Sequence, residues 1–230
     1  MGPIPIGPVG GRNTGPSCTT MASAVGVPEK RALTKGTNME VRARRQSTFS
    51  IIAQLGNPVF IALSIVLPNA ALAIAMALGS LALLNYVHVM TGALWTGIDL
   101  FMGFALGPIL GAMEPRQRAE VFKRLIPKMT FLMPMLAGAT IMAGVHLAQQ
   151  TGRLSLDDPW IVAALIITAI LVAQGFGVLL PNEIRIFKQL VSPTPDIDRI
   201  AKLGMQNARL AGIQGLLQLA IIFVMANLRF

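Results

Sequence analysis

The chain contains two histidines, His88 and His146, and each falls in a long apolar stretch. An imidazole nitrogen is a common protein ligand for copper and for haem iron. The two stretches cross the membrane in opposite directions, and a rise of 1.5 Å per residue places both rings within roughly 2–6 Å of the same membrane surface. Consecutive antiparallel helices usually pack as neighbours. The pattern therefore predicts a metal between the rings, either haem b with two axial ligands or copper.

The residues that share a helix face with each histidine are further candidates for the cofactor site. At 100° per residue, one line along the second span carries His88, Trp95, Asp99, Met102 and Leu106. A line along the third span carries Met135, Ala139, Met142 and His146. We expect His88, His146, Trp95 and Met142 to bind the cofactor, with the two histidines as metal ligands. The alternative is that each histidine makes an interfacial hydrogen bond and that the methionines only pack.

Asp99 is the only charged residue deep inside a predicted span. A charge at that depth costs at least about 2.5–3.5 kcal/mol on insertion scales, so we expect Asp99 to face the protein interior. Gln174, Gln214 and Gln218 have comparable depth. The pattern predicts a proton or ion relay through Asp99, Gln174 and Gln218, and the alternative is a structural hydrogen bond to glutamine. Glu114 and Glu183, at inner helix ends, are expected to pair with nearby arginines.

The composition indicates which elements must position these residues. Of 230 residues, 53% are hydrophobic and 13% are charged, whereas a soluble domain carries about 25% charged residues. This balance excludes a soluble nucleic-acid-binding protein, and the single cysteine, Cys18, excludes an intrachain disulfide. We predict an all-α, polytopic transmembrane helix bundle with spans at about 58–84, 87–112, 128–149, 159–181 and 208–228.

Several boundaries carry specific expectations. Pro68-Asn69 either kinks the first span or separates an interfacial helix (51–67) from it, and a tight turn is expected near Asn85-Tyr86. Residues 115–125 are expected to form an amphipathic interfacial helix.

Asp157-Asp158-Pro159 is a start signal for the fourth helix, and Asp196 or Asp198 is expected to cap the fifth.

The basic residues orient the five spans. Residues 1–50 hold seven of the 19 Lys and Arg residues, residues 113–128 hold five, residues 182–209 hold five, and the remaining two are Arg153 and Arg229. With five spans the three rich segments share one side, which places the N-terminus in the cytoplasm and the C-terminus outside. We therefore predict a disordered cytoplasmic tail (1–47), a transmembrane domain (48–230) and location in the cell inner (plasma) membrane as a multi-pass protein.

Two segments resemble a known group. His88-Val-Met-Thr-Gly-Ala-Leu-Trp95-Thr-Gly97 resembles the opening of a helix in the copper-resistance D (CopD)-like membrane proteins, with Trp-x-Gly seven residues after a histidine. Leu125-Ile-Pro-Lys-Met129 and Met133-Pro-Met are similar to the next helix of that group, and also to the HemJ-type protoporphyrinogen oxidases, which are small haem-binding helical bundles. The resemblance covers roughly residues 85–230. It implies copper handling or haem-linked redox chemistry, with His88 as a ligand.

These observations favour a membrane protein that binds haem b between His88 and His146 near the extracytoplasmic face. It would exchange electrons with a membrane or extracytoplasmic redox partner. One alternative is copper binding or transport, with Met90 assisting and Asp99 marking a path inward. A second alternative is a cofactor-free subunit of a larger membrane complex. The lipid bilayer is the one partner that every alternative requires. No nucleophile–base pair or HExxH motif identifies a reaction, so whether the protein is an enzyme is left open.

Overall fold

The computed structural model describes residues 56–228, and within that range the chain forms five helices and no strands. Each helix is long and apolar enough to cross a membrane, as an all-α, multi-pass membrane protein requires. The helices are α1 Pro58–Ala77, α2 Leu81–Ala112, α3 Pro115–Gln150, α4 Pro159–Leu190 and α5 Ile197–Asn227. The predicted number of membrane-crossing helices is confirmed. The predicted tail (1–47) and Arg229 lie outside the described residues.

The first turn lies earlier in the chain than predicted. Helix α1 ends at Ala77, Gly79 adopts a φ of 59°, and the Ser80 hydroxyl accepts a hydrogen bond from the Leu83 amide at 3.3 Å. Glycine reaches positive φ without steric cost and serine is a favoured N-cap, so these two residues form the turn. The expected turn at Asn85-Tyr86 was wrong, because both residues continue inside α2.

Helix α1 runs without interruption through Pro68. Its start is fixed by Asn57, whose side-chain oxygen accepts a hydrogen bond from the Val59 amide at 3.1 Å, and by Pro58 in the first turn. The predicted division of this segment at Pro68-Asn69 is therefore wrong for the described residues. Residues 51–55, which belong to the alternative interfacial helix, lie outside them.

Three helices extend beyond their predicted spans at one end of the bundle. Helix α3 begins at Pro115, so residues 115–125 continue into the membrane span and are not a separate interfacial helix. Helix α4 reaches Leu190 and α5 starts at Ile197. The extensions bury a shared apolar cluster that includes Phe122, Ile186 and Ile200. This packing stabilises the polar extensions as helix, although they lie outside the apolar stretches.

Sequence signals located the starts of the last two helices correctly. The Asp158 carboxylate accepts a hydrogen bond from the Trp160 amide at 2.9 Å, and Pro159 follows as the first helical residue. The Asp196 carboxylate accepts a hydrogen bond from the Arg199 amide at 3.0 Å, so Asp196 is the cap of α5. Both caps satisfy amide groups that have no partner inside the helix.

Two spans contain a segment of π-helix. Residues Phe101–Leu106 of α2 and Gly175–Leu179 of α4 have this wider hydrogen-bonding pattern. Beside the first segment, α2 and α5 approach so closely that a Cβ at Gly103 would overlap the Cα of Gly212. Glycine at both positions permits this backbone contact, as is common between membrane helices. The π-segments and the glycine contact set the shape of the interior between α2, α4 and α5.

Candidate functional site

A cavity that is partly open to the outside of the bundle, here called the His88 cavity, has a volume of about 620 Å³. Ligand sites in proteins usually measure about 300–1,000 Å³ and have mostly apolar walls with a few polar groups. The polar residues in its wall are Asn85, His88, Thr96, Thr140, Thr151, Arg153, Thr168 and Gln218. The other wall residues are mainly aliphatic side chains of α2 to α5, together with Trp95. The cavity therefore has the size and the lining of a site for a large, mainly apolar molecule.

His88 is held in a defined orientation at the edge of this cavity. Its Nδ1 lies 2.8 Å from the carbonyl oxygen of Thr140 on α3. A carbonyl oxygen can only accept a hydrogen bond, so Nδ1 donates, and in the neutral ring Nε2 then carries the lone pair. This is the arrangement that orients metal-ligating histidines in proteins. His88 thus has the tautomer and the fixed ring that an axial ligand requires.

A glycine makes room for this ring. A Cβ at Gly144 would lie 2.8 Å from Cε1 of His88, closer than real Cβ contacts come. The hydroxyl groups of Thr140 and Thr91 lie 2.8 Å apart, and Thr91 donates to the carbonyl of Val87 at 2.7 Å. Helices α2 and α3 are therefore joined by polar contacts directly beside the imidazole. Glycine at position 144 therefore permits this close approach of α2 and α3.

His146 belongs to a different face of α3. It lies two residues beyond Gly144, which corresponds to about 200° around a helix. It is absent from the residues that line the His88 cavity, and so is Met142, which is 49% exposed. Met135, on the same predicted line, accepts a hydrogen bond from Asn69 of α1 at 3.3 Å. Of the four predicted cofactor-binding residues, this cavity contains His88 and Trp95. The face of α3 that carries Met135 is directed toward α1, whereas the face that carries Thr140 and Gly144 contacts α2.

A second, smaller cavity of about 90 Å³, here called the Asp99 cavity, adjoins the first. Trp95, Ile141 and Leu171 line both cavities and form the wall between them. The polar residues of the smaller cavity are Asp99, Glu183, Asn207 and Gln214. The predicted line on α2 thus faces the interior, because its members Trp95, Asp99 and Met102 line this cavity.

Asp99 is buried and hydrogen-bonded. Its side chain is 2% exposed, and Gln218 Nε2 on α5 donates to its Oδ2 at 2.9 Å. The side chains of Gln214 and Trp95 also interact with the same carboxyl group. The Oε1 atoms of Gln214 and Gln218 are buried without a hydrogen-bond partner. Since Gln218 lines the His88 cavity, its amide connects the two cavities.

Gln174 has a different environment. Its Nε2 donates to the carbonyl oxygen of Leu210 at 2.8 Å, which ties α4 to α5. It lines neither cavity. Of the three residues predicted for a relay, the structure brings Asp99 and Gln218 together and leaves Gln174 apart.

Glu183 is the residue of this region that the sequence interpretation misjudged. It was expected to pair with arginine, but in residues 56–228 the one salt bridge given by the structure joins Lys123 and Glu120 at 3.8 Å. Glu183 instead lines the Asp99 cavity and interacts electrostatically with Asp99. Regular helical spacing did not mark it, because the π-segment Gly175–Leu179 just before it changes which residues of α4 share a face.

An asparagine pair closes this end of the cavity. Asn182 Nδ2 donates to Asn207 Oδ1 at 3.0 Å, and Asn207 Nδ2 donates to the carbonyl of Leu179 at 3.1 Å. Arg185 donates to Asn182 Oδ1 at 3.0 Å, so this guanidinium is engaged with an amide. Within the described part of the chain, no group of three or more His, Cys, Asp or Glu residues lies together as a metal-ligand cluster.

A scan against protein-family models, a search of curated proteins and a search of solved structures each found no match to this chain. The resemblance to the CopD-like and HemJ-type proteins therefore depends on the quoted residues alone.

Proposed function

We propose that the protein is a membrane redox protein that binds haem b in the His88 cavity, with His88 as an axial ligand. One observation carries this proposal. His88 is fixed through Nδ1 by the Thr140 carbonyl, and this residue lines a mainly apolar cavity of about 620 Å³. His146 lines another face of α3, so the proposal rests on His88.

The residues present fit such a group. A neutral imidazole with its second nitrogen hydrogen-bonded to a carbonyl is a strong ligand for iron. Aliphatic side chains cover most of the wall, as a flat apolar macrocycle requires, and Trp95 adds an aromatic surface. Bound haem supplies one-electron chemistry, and its potential depends on the axial ligand and on burial.

The charge distribution supports an orientation for this site. The basic segments 113–128 and 182–209 lie at one end of the bundle, and the positive-inside rule assigns that end to the cytoplasm. The C-terminus is then extracytoplasmic, and His88, near the start of α2, lies in the outer half of the membrane. We accordingly propose the cell inner (plasma) membrane as the location, and a quinone or extracytoplasmic protein as the electron partner.

The test is the optical spectrum of the full chain, purified in mild detergent from cells supplied with haem. We expect a Soret band and a reduced α band in the wild type and in His146→Ala, and the loss of both bands in His88→Ala. His146→Ala is the matched control, because it removes the same side chain from another face of α3. A wild type without haem bands overturns the proposal.

Three further outcomes would redirect the proposal. Haem loss in both variants would restore the two-histidine arrangement predicted from the sequence. Stoichiometric copper without haem, measured by metal analysis of the same preparation, would favour the copper alternative. Co-purification of stable partners with neither group would favour a structural subunit.

A further inference from the structure

We propose that the Asp99 cavity binds a small hard cation through oxygen ligands. The site consists of the carboxyl groups of Asp99 and Glu183 and the amide oxygen of Gln214, which line one cavity. This proposal is independent of the cofactor in the His88 cavity. It concerns the protein as purified, with or without haem.

The first argument is charge. Asp99 and Glu183 line the same cavity, and no salt bridge within residues 56–228 involves either one. Two carboxylates that share a low-dielectric site repel each other and cannot both stay ionised without a compensating positive charge. Ionisable residues inside membrane spans generally pair with one another or mark an ion path. A bound cation would provide the missing charge.

The second argument is an amide oxygen without a partner. Gln214 is 3% exposed and lines the cavity, and its Oε1 accepts no hydrogen bond. Buried acceptors without partners are rare in folded proteins and call for an unseen ion or water. Gln218 donates its Nε2 to Asp99 Oδ2, which leaves Gln218 Oε1 as a second such acceptor. Two buried amide oxygens beside Asp99 thus lack a donor, and a cation in the cavity would satisfy that of Gln214.

The third argument is the backbone. Met102, from the π-segment Phe101–Leu106, lines the cavity, and so do Phe176 and Leu179 from the π-segment Gly175–Leu179. Asp99 precedes the first segment by two residues. π-Segments are rare and occur often at functional sites, because they displace side chains and backbone from regular helical positions. Two of them at one cavity distinguish this place from the rest of the bundle.

The chemistry of the donors selects the class of ion. Carboxylate and amide oxygens are hard ligands that suit Na⁺, Mg²⁺ and Ca²⁺, whereas copper and zinc prefer nitrogen and sulfur. A cavity of about 90 Å³ holds an ion together with several water molecules, since one water needs about 10–15 Å³ by this measure. Water would complete the coordination that the three side chains begin.

The test uses Trp95, which lines both cavities, as the reporter. The chain has two tryptophans, and Trp160→Phe leaves Trp95 as the only one. The full-length Trp160→Phe protein in detergent is titrated separately with NaCl, MgCl₂ and CaCl₂, with ionic strength held constant by choline chloride. We expect a saturable fluorescence change with at least one of these cations. Equilibrium dialysis with that cation as a radioisotope should give one ion per chain.

The variants assign the signal to the cavity. Asp99→Asn and Glu183→Gln should each raise the apparent Kd at least tenfold. Glu120→Gln, the same change at an exposed site, should leave it unaltered. If Asp99→Asn does not fold, Glu183→Gln and Gln214→Leu provide the same comparison. The proposal is overturned if no cation gives saturation in the Trp160→Phe protein, or if Glu183→Gln and Glu120→Gln made in that protein respond alike.

Discussion

The two cavities differ in size and in their polar groups, although both have mainly apolar walls and only the side chains of Trp95, Ile141 and Leu171 separate them. The His88 cavity is large and mainly apolar, and one oriented imidazole stands at its wall. The Asp99 cavity is about one-seventh as large (90 against 620 Å³) and contains two carboxyl groups.

The difference teaches how one bundle can create two kinds of site. At the His88 cavity, Gly144 makes room for a side chain, and α2 and α3 are joined through Thr140 and Thr91. At the Asp99 cavity, the backbone itself is altered by π-segments, and Gly103 and Gly212 bring α2 and α5 into direct contact. We therefore expect the first region to tolerate substitutions better than the second.

The largest expected effect is at the backbone contact. Gly103→Ala should lower the free energy of unfolding by about 3 kcal/mol, because its Cβ would overlap the Cα of Gly212 and force α2 and α5 apart. Gly97→Ala is the matched control on the same helix, since nothing lies within 4 Å of its Cβ position. The measurement is unfolding in SDS–detergent mixtures followed by circular dichroism. Equal stability of the two variants would contradict the proposed rigidity of this region.

The second largest expected effect on stability is at Gln218, whose side chain connects the two cavities. Gln218→Ala should cost about 2 kcal/mol of unfolding free energy, because it removes one of the donors to the buried Asp99 carboxyl group. Asn227→Ala, on the same helix, removes an exposed amide that bonds Phe223 and should change stability by less than about 0.5 kcal/mol. The same unfolding assay separates them, and a neutral Gln218→Ala would show that this hydrogen bond is dispensable.

The smallest expected effect on stability is at the imidazole. Gly144→Ala should cost about 1 kcal/mol, because the added Cβ meets the edge of the His88 ring, which can shift more easily than backbone. Gly138→Ala, also on α3, has no atom within 4 Å of its Cβ and should be neutral. A shift of the ring should nevertheless reduce haem absorbance strongly in Gly144→Ala alone. Unchanged absorbance would argue against His88 as the ligand.

Much of the fold followed from local patterns. Apolar stretches long enough to span a membrane gave five helices, and cap signals at Asp158 and Asp196 located two starts correctly. The turn after α1 was placed wrongly because Asn85-Tyr86 looks polar in sequence, whereas Gly79 and Ser80 supply the conformation and the cap. The extent of α3, α4 and α5 was also underestimated, since packing of Phe122, Ile186 and Ile200 sustains helix beyond the apolar stretches.

The site was predicted in part. The inward line on α2 followed from helical periodicity, and the cost of a buried charge led correctly to an interior Asp99. Periodicity did not predict which face of α3 contacts α2. Periodicity groups residues on a face but does not say which neighbour that face will meet. Glu183 was missed for a similar reason, because a terminal glutamate near arginines has a simpler interpretation.

The sequence alone determined that residues 56–228 form five apolar helices, because hydrophobic length and capping act locally. It also determined which residues share a helix face. The tertiary structure decided which faces meet, and so it set His88 against Thr140 and turned the line through Met135 toward α1. It also brought Asp99, Gln218 and Glu183 to adjoining cavities. The reason is physical: helix–helix packing depends on the fit of whole surfaces from distant parts of the chain, which no local pattern specifies.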